Sequence, residues 1–259
     1  MVLATGPTGS GKTTTIYAIL KIINTRDKNI STIEDPVEYD IEGVNQIQVN
    51  AKTDLTFANG LRSIVRQDPD IIFVGEIRDN ETAGIAINSA MTGHLVLSTI
   101  HTNNAATTLP RLIDMEIEPF LVASTVNVII AQRLVRKICE KCRVSQSITT
   151  AELSKFIPLD LLIKHFSLDT KDKTENSIRS YKGKGCDICH HTGYSGRIGI
   201  FEVMVVTNSI KDLITRKADS STIEVKAREE GMRSMLEDGI EKVKSGITSL
   251  EEIIRSTKE

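Results

Sequence analysis

The chain has 259 residues, 40% hydrophobic and 25% charged, which excludes a wholly disordered or fibrous protein and leaves length for a buried core in one large domain or two smaller ones. A net charge of −2 and a pI near 6.3 supply no bulk attraction for nucleic acid. No apolar run approaches the roughly 20 residues that span a bilayer, since the longest, 120–134, is broken by Ser124, Thr125, Asn127, Gln132 and Arg133. With no basic and apolar leader at its start, the chain is expected in the cytoplasm.

The first predicted strand, Met1-Val2-Leu3-Ala4-Thr5, runs into Gly6-Pro7-Thr8-Gly9-Ser10-Gly11-Lys12-Thr13, the spacing G-x-x-x-x-G-K-[ST] of a phosphate loop, and a helical segment follows over 14–23. Gly6, Gly9 and Gly11 allow positive φ and turn successive N–H groups inward, where a Cβ would obstruct a phosphate. The positive end of the following helix adds to the same concavity. Lys12 is the expected β/γ-phosphate contact and the Thr13 hydroxyl the Mg²⁺ ligand. Gly6, Pro7, Thr8, Gly9, Ser10, Gly11, Lys12, Thr13 and Thr14 together are the candidate nucleotide-binding residues.

Asn29-Ile30-Ser31-Thr32-Ile33 is a β-branched run that delivers the acidic loop Glu34-Asp35-Pro36-Val37-Glu38-Tyr39 to a strand's end. Residues 44–49 alternate apolar and polar as a strand with one wet face, and 55–66 has helical spacing. Asp70-Ile71-Ile72-Phe73-Val74-Gly75-Glu76 is a strand buried on both faces that ends in an acid. A helix over 82–91 leads to the strand Leu95-Val96-Leu97-Ser98-Thr99 and to His101. The alternation predicts an α/β fold with a parallel sheet and helices on both faces. Helical patterns are expected at 105–115 and 119–134.

Near residue 135 the composition shifts. Cysteines, lysines and a polar connecting stretch over 169–180, with Lys171, Asp172, Lys173, Thr174 and Glu175, replace the rhythm. A glycine-rich segment with short β-type runs (183–206) precedes four helical stretches at 209–217, 221–230, 232–245 and 249–256. Three divisions are expected: a phosphate-loop core over 1–135, a tetracysteine module with a helical insertion over 136–206, and a helical module over 207–259.

Glu76 is the candidate to orient the attacking water, as a carboxylate at the end of a buried strand, against the alternative of a solvated acid at a strand end. Many phosphate-loop enzymes carry an aspartate before it to support Mg²⁺. Here that position is Gly75, so Glu38 or Asp35 must help. His94 and His101 flank the strand 95–99, and His101 could bond phosphate or relay the nucleotide state, against the alternative of an ordinary strand-end histidine. Arg66 and Arg78 are phosphate contacts or solvated cations.

All four cysteines fall in two C-x-x-C pairs, Cys139/Cys142 and Cys186/Cys189. Disulfides are disfavoured inside cells, and two such knuckles supply the thiolates of a tetrahedral Zn²⁺ site. The 43 residues between the pairs exceed the usual roughly 15–20, which calls for a helical insertion that returns. Gly183, Gly185 and Gly193 suit knuckle turns. Cys186-x-x-Cys189-His190 also matches haem attachment, which the cytoplasmic setting opposes. A redox pair or free thiols remain as rivals to zinc.

Several of these segments together resemble one family. Gly6-Pro7-Thr8-Gly9-Ser10-Gly11-Lys12-Thr13, Thr32-Ile33-Glu34-Asp35-Pro36-Val37-Glu38-Tyr39, Arg66-Gln67-Asp68-Pro69-Asp70 with Val74-Gly75-Glu76-Ile77-Arg78-Asp79, and Thr92-Gly93-His94 running to His101-Thr102-Asn103 look like the Walker A, Asp, Walker B and His boxes of secretion ATPases. The subgroup is the assembly ATPases of type II secretion and type IV pili. Ala131-Gln132-Arg133-Leu134, the tetracysteine, Gly196-Arg197-Ile198-Gly199-Ile200-Phe201-Glu202 and Glu230-Gly231-Met232 extend the match.

The resemblance implies a RecA-like domain in a homohexamer that binds MgATP between subunits. It implies work on an inner-membrane platform protein and other cytoplasmic secretion or pilus components, at the inner face of the inner membrane, with no direct nucleic-acid partner. By position, Lys12 and Thr13 take phosphate and Mg²⁺, Thr13, Glu38 and Glu76 hold the metal, Glu38 and Glu76 activate water, His101 senses phosphate, and Cys139, Cys142, Cys186 and Cys189 bind zinc. Retraction ATPases of the pilus lack the tetracysteine, so extension or secretion is expected. Two other readings stay open: a conjugation-type translocating ATPase, and a catalytically silent oligomerisation and docking piece. Glu116 stands where the family usually has glycine. The family's N-terminal domain, which covers the nucleotide and supplies arginines, is also missing ahead of the phosphate-loop strand, so a C-terminal fragment with weak hydrolysis is expected.

Overall fold

A computed structural model describes residues 1–166 and 177–257; residues 169–176 of the polar connecting stretch lie outside the described residues. In chain order the elements are β1 (Val2–Thr5), α1 (Lys12–Ile23), β2 (Ile30–Glu34), β3 (Val44–Gln48), α2 (Phe57–Val65), β4 (Ile71–Val74), α3 (Asn80–Met91), β5 (Leu95–Ile100), α4 (Ala105–Asp114), α5 (Pro119–Thr125) and β6 (Val128–Ile138). Then follow β7 (Arg143–Thr149), α6 (Thr150–Leu153), α7 (Leu159–Phe166), β8 (Ser177–Gly183), β9 (Tyr194–Val205), α8 (Asn208–Thr215), α9 (Ser220–Glu229), α10 (Met235–Lys244) and α11 (Leu250–Thr257). They form two compact units, interleaved in sequence: 1–132 with 202–232, and 133–201 with 233–259.

In the first unit the strand order begins β3-β2-β4-β5-β1-β6, and each of these neighbours pairs in parallel. Parallel pairing sends every strand's C-terminal end to one edge. Register then levels those ends, because Thr5 pairs with Ile100, Val74 with Ser98 and Ile33 with Val74. The residues that follow, Gly6, His101, Gly75-Glu76 and Asp35, therefore leave the sheet along one rim. Ile16, Tyr17 and Leu20 of α1 pack on the face that carries Ala4, Ile30, Phe73 and Leu97. On the opposite face α2 comes so close that a Cβ on Gly60 would lie 2.6 Å from Ile33. Each large apolar side chain so buried contributes roughly 1.5–3 kcal/mol. Side-chain caps from Thr56, Asp79 and Asn104 onto the third residue of α2, α3 and α4 fix where those helices start.

One expectation fails here. The helical pattern read over 119–134 is a helix only as far as Thr125, and Val128–Ile138 is a strand. Val126, Val128, Ile129 and Ile130 are β-branched, stiff at χ1 and well suited to a pleated surface. The Asn127 N–H donates to the Met1 carbonyl at 2.9 Å, opening a ladder in which Val2–Thr5 pairs with Val128–Ala131. Partnership with β1 overrides the local spacing of apolar residues.

In the second unit, β7 and β8 pair antiparallel with Arg143 opposite Gly183 and Thr149 opposite Ser177. The expected insertion contains α6 and α7 between these two strands. Glu252 of α11 is buried and accepts from the Arg136 N–H at 3.0 Å, the Arg136 guanidinium at 2.5 Å and Arg255 at 3.0 Å. Among the described residues, no helix is long and apolar enough to cross a membrane.

Candidate nucleotide and metal sites

The phosphate loop connects β1 to α1. Gly6, Gly9 and Gly11 have φ of 143°, 75° and 87°, all in the region glycine tolerates best, and a Cβ on Gly6 would sit 2.3 Å from the Gln132 carbonyl oxygen. The loop is braced from β6, whose Gln132 Nε2 donates to the Ser10 carbonyl at 2.7 Å. Lys12 is buried, and its Nζ donates to the carbonyls of Gly6 at 2.9 Å and Pro7 at 3.1 Å. Burial pushes its ammonium below the ordinary lysine value, and the negative charge of Glu76 partly opposes that shift. The Ser10 hydroxyl is buried with no partner among the described residues. A glycine-lined cradle, an anchored lysine and an unpartnered hydroxyl suit an oxyanion ligand.

Glu76 is delivered by β4 and locked by β5: Ser98 donates to the Val74 carbonyl at 2.8 Å, Thr99 to Gly75 at 2.7 Å, and the Ile77 N–H to Thr99 at 2.8 Å. One Glu76 oxygen meets the Arg78 guanidinium at 2.5 Å and the other meets His101 Nε2 at 3.3 Å. Glu76 is nearly buried, whereas Arg78 and His101 reach solvent. His101 is held through its neighbour, because Thr102 N–H donates to Thr5 Oγ1 at 2.9 Å at the end of β1. Lys12, Glu76, Arg78 and His101 thus belong to one charged rim.

The other candidates make no bond to these four among the described residues. Glu38 lies on the exposed loop after β2 and is tied by its backbone N–H to the Tyr17 hydroxyl at 3.3 Å. Asp35 is exposed, and Arg66 is the exposed C-cap of α2. His94 closes α3, with Nδ1 against the Ser89 carbonyl at 2.9 Å and Thr92 Oγ1 at 3.0 Å. Sequence reasoning missed Glu34 and Gln132 as site residues. Glu34 is 1% exposed and accepts from Thr32 Oγ1 at 2.6 Å, from Gln46 Nε2 at 3.1 Å and from Tyr17. Its signal was available, since it ends β2 as Glu76 follows β4. Gln132 gave none while its segment read as a helix.

The cysteines build a second site within the second unit. The four sulfurs lie within 4.8 Å of one another, with Cys139 to Cys186 at 3.9 Å, Cys142 to Cys189 at 3.9 Å and Cys186 to Cys189 at 3.7 Å. A disulfide needs about 2.05 Å. Metal–sulfur bonds of about 2.3 Å in a tetrahedron give edges of about 3.8 Å, so the donor set fits a four-coordinate ion. Backbone N–H groups of Cys186 and Gly193 reach the Cys189 sulfur at 3.2 and 3.3 Å. Burial opposes ionisation of Cys189, but these N–H groups and the neighbouring thiols outweigh it and bring its pKa to about 6, while burial and the other thiols push Cys142 up to about 11. Convergence on one point is unlike the haem-attachment reading, and His190 is exposed. Gly183 and Gly193 permit the convergence: a Cβ on Gly183 would stand 2.1 Å from the Gly193 carbonyl oxygen.

Residues 1–255 match the family model of Type II/IV secretion system proteins. The chain belongs to the type II/IV secretion system protein family. Among its relatives, Type II secretion system protein E of Aeromonas hydrophila is 48% identical over all of this chain and 49% of its own length. Type II secretion system ATPase E of Vibrio cholerae is 46% identical over all of the chain and 48% of its own length. Type IV pilus assembly ATPase PilB of Thermus thermophilus is 47% identical over 99% of the chain and 28% of its own length. The chain thus spans about half the length of the first curated relatives it matches. Among solved structures, the pilus retraction motor PilT with bound ADP aligns at a TM-score of 0.70 and 29% identity, covering all of this chain and 61% of that one. The Legionella pneumophila ATPase DotB, at 24% identity and a TM-score of 0.65 over 97% of this chain and 58% of that one, shares the fold. The α/β fold with its mostly parallel sheet is therefore the fold of secretion and pilus ATPases.

Proposed function

We propose that this chain is the ATP-hydrolysing part of a motor subunit for type II secretion or type IV pilus assembly. The observation that carries this reading is the rim where the braced phosphate loop, Lys12 and the clamped carboxylate of Glu76 come together. Gly6, Thr8, Gly9, Ser10, Gly11, Thr13 and Thr14 cradle the phosphates with backbone N–H groups and hydroxyls, Pro7, which has no N–H to offer, shapes the turn between them, and Lys12 neutralises the phosphate charge. Thr13, Glu38 and Glu76 hold Mg²⁺, which when bound offsets the charge that develops on the transferred phosphoryl group. Glu76 orients the attacking water and accepts its proton, and Arg78 holds one of its oxygens in place. His101, bonded to Glu76 and open to solvent, carries the state of the phosphate site outward.

The four cysteines hold a structural zinc, because all four donors come from the protein and leave no open coordination position. Function divides along the chain as a RecA-like ATPase core over 1–135, a zinc module over 136–206 and a helical module over 207–259. The whole protein works as a homohexamer at the inner face of the inner membrane and moves a platform protein there. Assembly or secretion is favoured over retraction by the tetracysteine and by relatives that are named for type II secretion and pilus assembly. The test is nucleotide binding and turnover by the full-length protein, wild type, Lys12→Ala and Glu76→Gln. Binding that survives Glu76→Gln while turnover is lost supports the motor; a wild-type protein with no Mg²⁺-dependent ATP affinity overturns it.

A further inference from the structure

The loop 35–41, which carries Glu38, has four backbone groups held by side chains, beside the Ile41 carbonyl that accepts from the Val44 N–H at 3.1 Å. Gln48 Oε1 accepts from the Val37 N–H at 3.2 Å, and the Tyr17 hydroxyl accepts from the Glu38 N–H at 3.3 Å. Gln46 Nε2 donates to the Tyr39 carbonyl at 3.3 Å, and Gln46 Oε1 accepts from the Ile41 N–H at 2.7 Å. Tyr17 is the only one of these side chains that comes from the phosphate-loop helix. It lies four residues after Thr13 on α1, so the two share one helix face about 6 Å apart along the axis.

The bonding capacity of the phenol is fully used. Its single proton goes to Glu34 Oε2, and its oxygen receives the Glu38 N–H and Gln46 Nε2, the latter at 3.3 Å. Glu34 accepts that bond at Oε2, while Thr32 and Gln46 donate to its other oxygen and hold the carboxylate in place. The ring itself is fixed edge-on against Tyr39 at 4.7 Å and Phe73 at 6.1 Å between centroids.

We infer that Tyr17 and Glu34 are positioning residues that register the Glu38 loop on the phosphate-loop helix, so that the Thr13 hydroxyl and the Glu38 carboxylate meet one metal ion. The inference rests on the reading of Thr13 and Glu38 as Mg²⁺ ligands given above. Glu34 is buried one residue before the loop, and its task is to aim Tyr17. Removing the phenol proton and oxygen frees the Glu38 N–H while the phosphate cradle stays intact, so metal and nucleotide affinities should part company.

The experiment compares wild type with Tyr17→Phe in the full-length protein. Because Tyr17→Phe strands a buried carboxylate, the double variant Tyr17→Phe/Glu34→Gln is carried alongside it. Three quantities are read: amide hydrogen exchange at Glu38, Mn²⁺ affinity of the ADP complex, and ADP affinity in excess EDTA. In both variants Glu38 exchange should rise about tenfold and Mn²⁺ affinity fall about tenfold, with EDTA-insensitive ADP affinity within about twofold of wild type. Unchanged Glu38 exchange with unchanged Mn²⁺ affinity overturns the inference, and so does an equal loss of metal and nucleotide affinity. Wild-type protein that binds no ADP overturns the nucleotide reading itself, a result separable from the other two.

Discussion

The phosphate-loop rim and the tetracysteine are built in opposite ways. The rim's key loop is eight contiguous residues, and its other groups arrive because parallel strands end at one level. Its polar atoms are mostly satisfied within the protein: Lys12 by carbonyls, Glu76 by Arg78 and His101. The cysteine site joins residues 47 apart in the chain. Its four sulfurs crowd together with no cationic side chain paired to them among the described residues, an arrangement that becomes favourable when an ion takes the four thiolates. The rim should therefore persist without its ligand, whereas the cysteine site should depend on its own.

Metal removal breaks the comparison most sharply. Zinc bound at such a site contributes about 10 kcal/mol or more to the structure around it. Chelation, or serine at all four cysteines, should open 139–189 to proteases and remove one equivalent of zinc, while hydrogen exchange of β1, β4 and β5 stays slow. Equal loss of protection in both places would erase the distinction. Glu76→Gln comes next. It should cut turnover by about 10²- to 10⁴-fold and leave melting temperature and nucleotide affinity nearly unchanged, since the rim does not need that charge to fold.

A pH titration tests the second unit from another side. Burial alone would raise Glu237 and Glu252, but it is outweighed at Glu237 by the Ser234 N–H and Lys164, and at Glu252 by Arg136 and Arg255, so both sit at about 2. Because the folded value lies below the unfolded one, near 4.5, their stabilisation is complete above about pH 4.5 and is lost as pH falls toward 2. Allowing for solvent screening, each should contribute about 1 kcal/mol. Denaturant titrations from pH 6 to 3 should show that slope, and Gln at both positions should flatten it. The smallest effect is expected at Glu116, whose φ of 62° ends α4 in the left-handed region and whose carboxylate accepts from Asn80 at 3.1 Å. Glu116→Gly should stabilise by about 0.5–1 kcal/mol, readable as a small rise in melting temperature; a fall would mean that the Asn80 bond outweighs the backbone strain.

The departure noticed in the sequence at Glu116 thus acquires a cause, a backbone conformation that glycine tolerates more easily. Other features resisted reading for the same kind of reason. Whether residues 128–134 are helix or strand depended on an open edge of β1 more than a hundred residues earlier, and local spacing could not express that. Gln132 became visible as the brace of the phosphate loop only after that strand was in place. Tyr17 carried no signal within its own segment, because its hydroxyl finds partners on β2, β3 and the loop between them.

What the sequence determined by itself is the chemistry carried in short contiguous patterns: the glycines and lysine of the loop, the acids at strand ends, the two cysteine pairs and the alternation that implies a parallel sheet. These were legible because a phosphate cradle, a buried strand and a metal knuckle each constrain residue types within a few positions of one another. Only the tertiary structure decided which ends share a level, that α8 and α9 join the first unit while α10 and α11 join the second, and which buried side chains aim the exposed ones. Those outcomes come from pairing and packing between distant segments, where the free energy belongs to the contact and no single stretch of chain carries its signature.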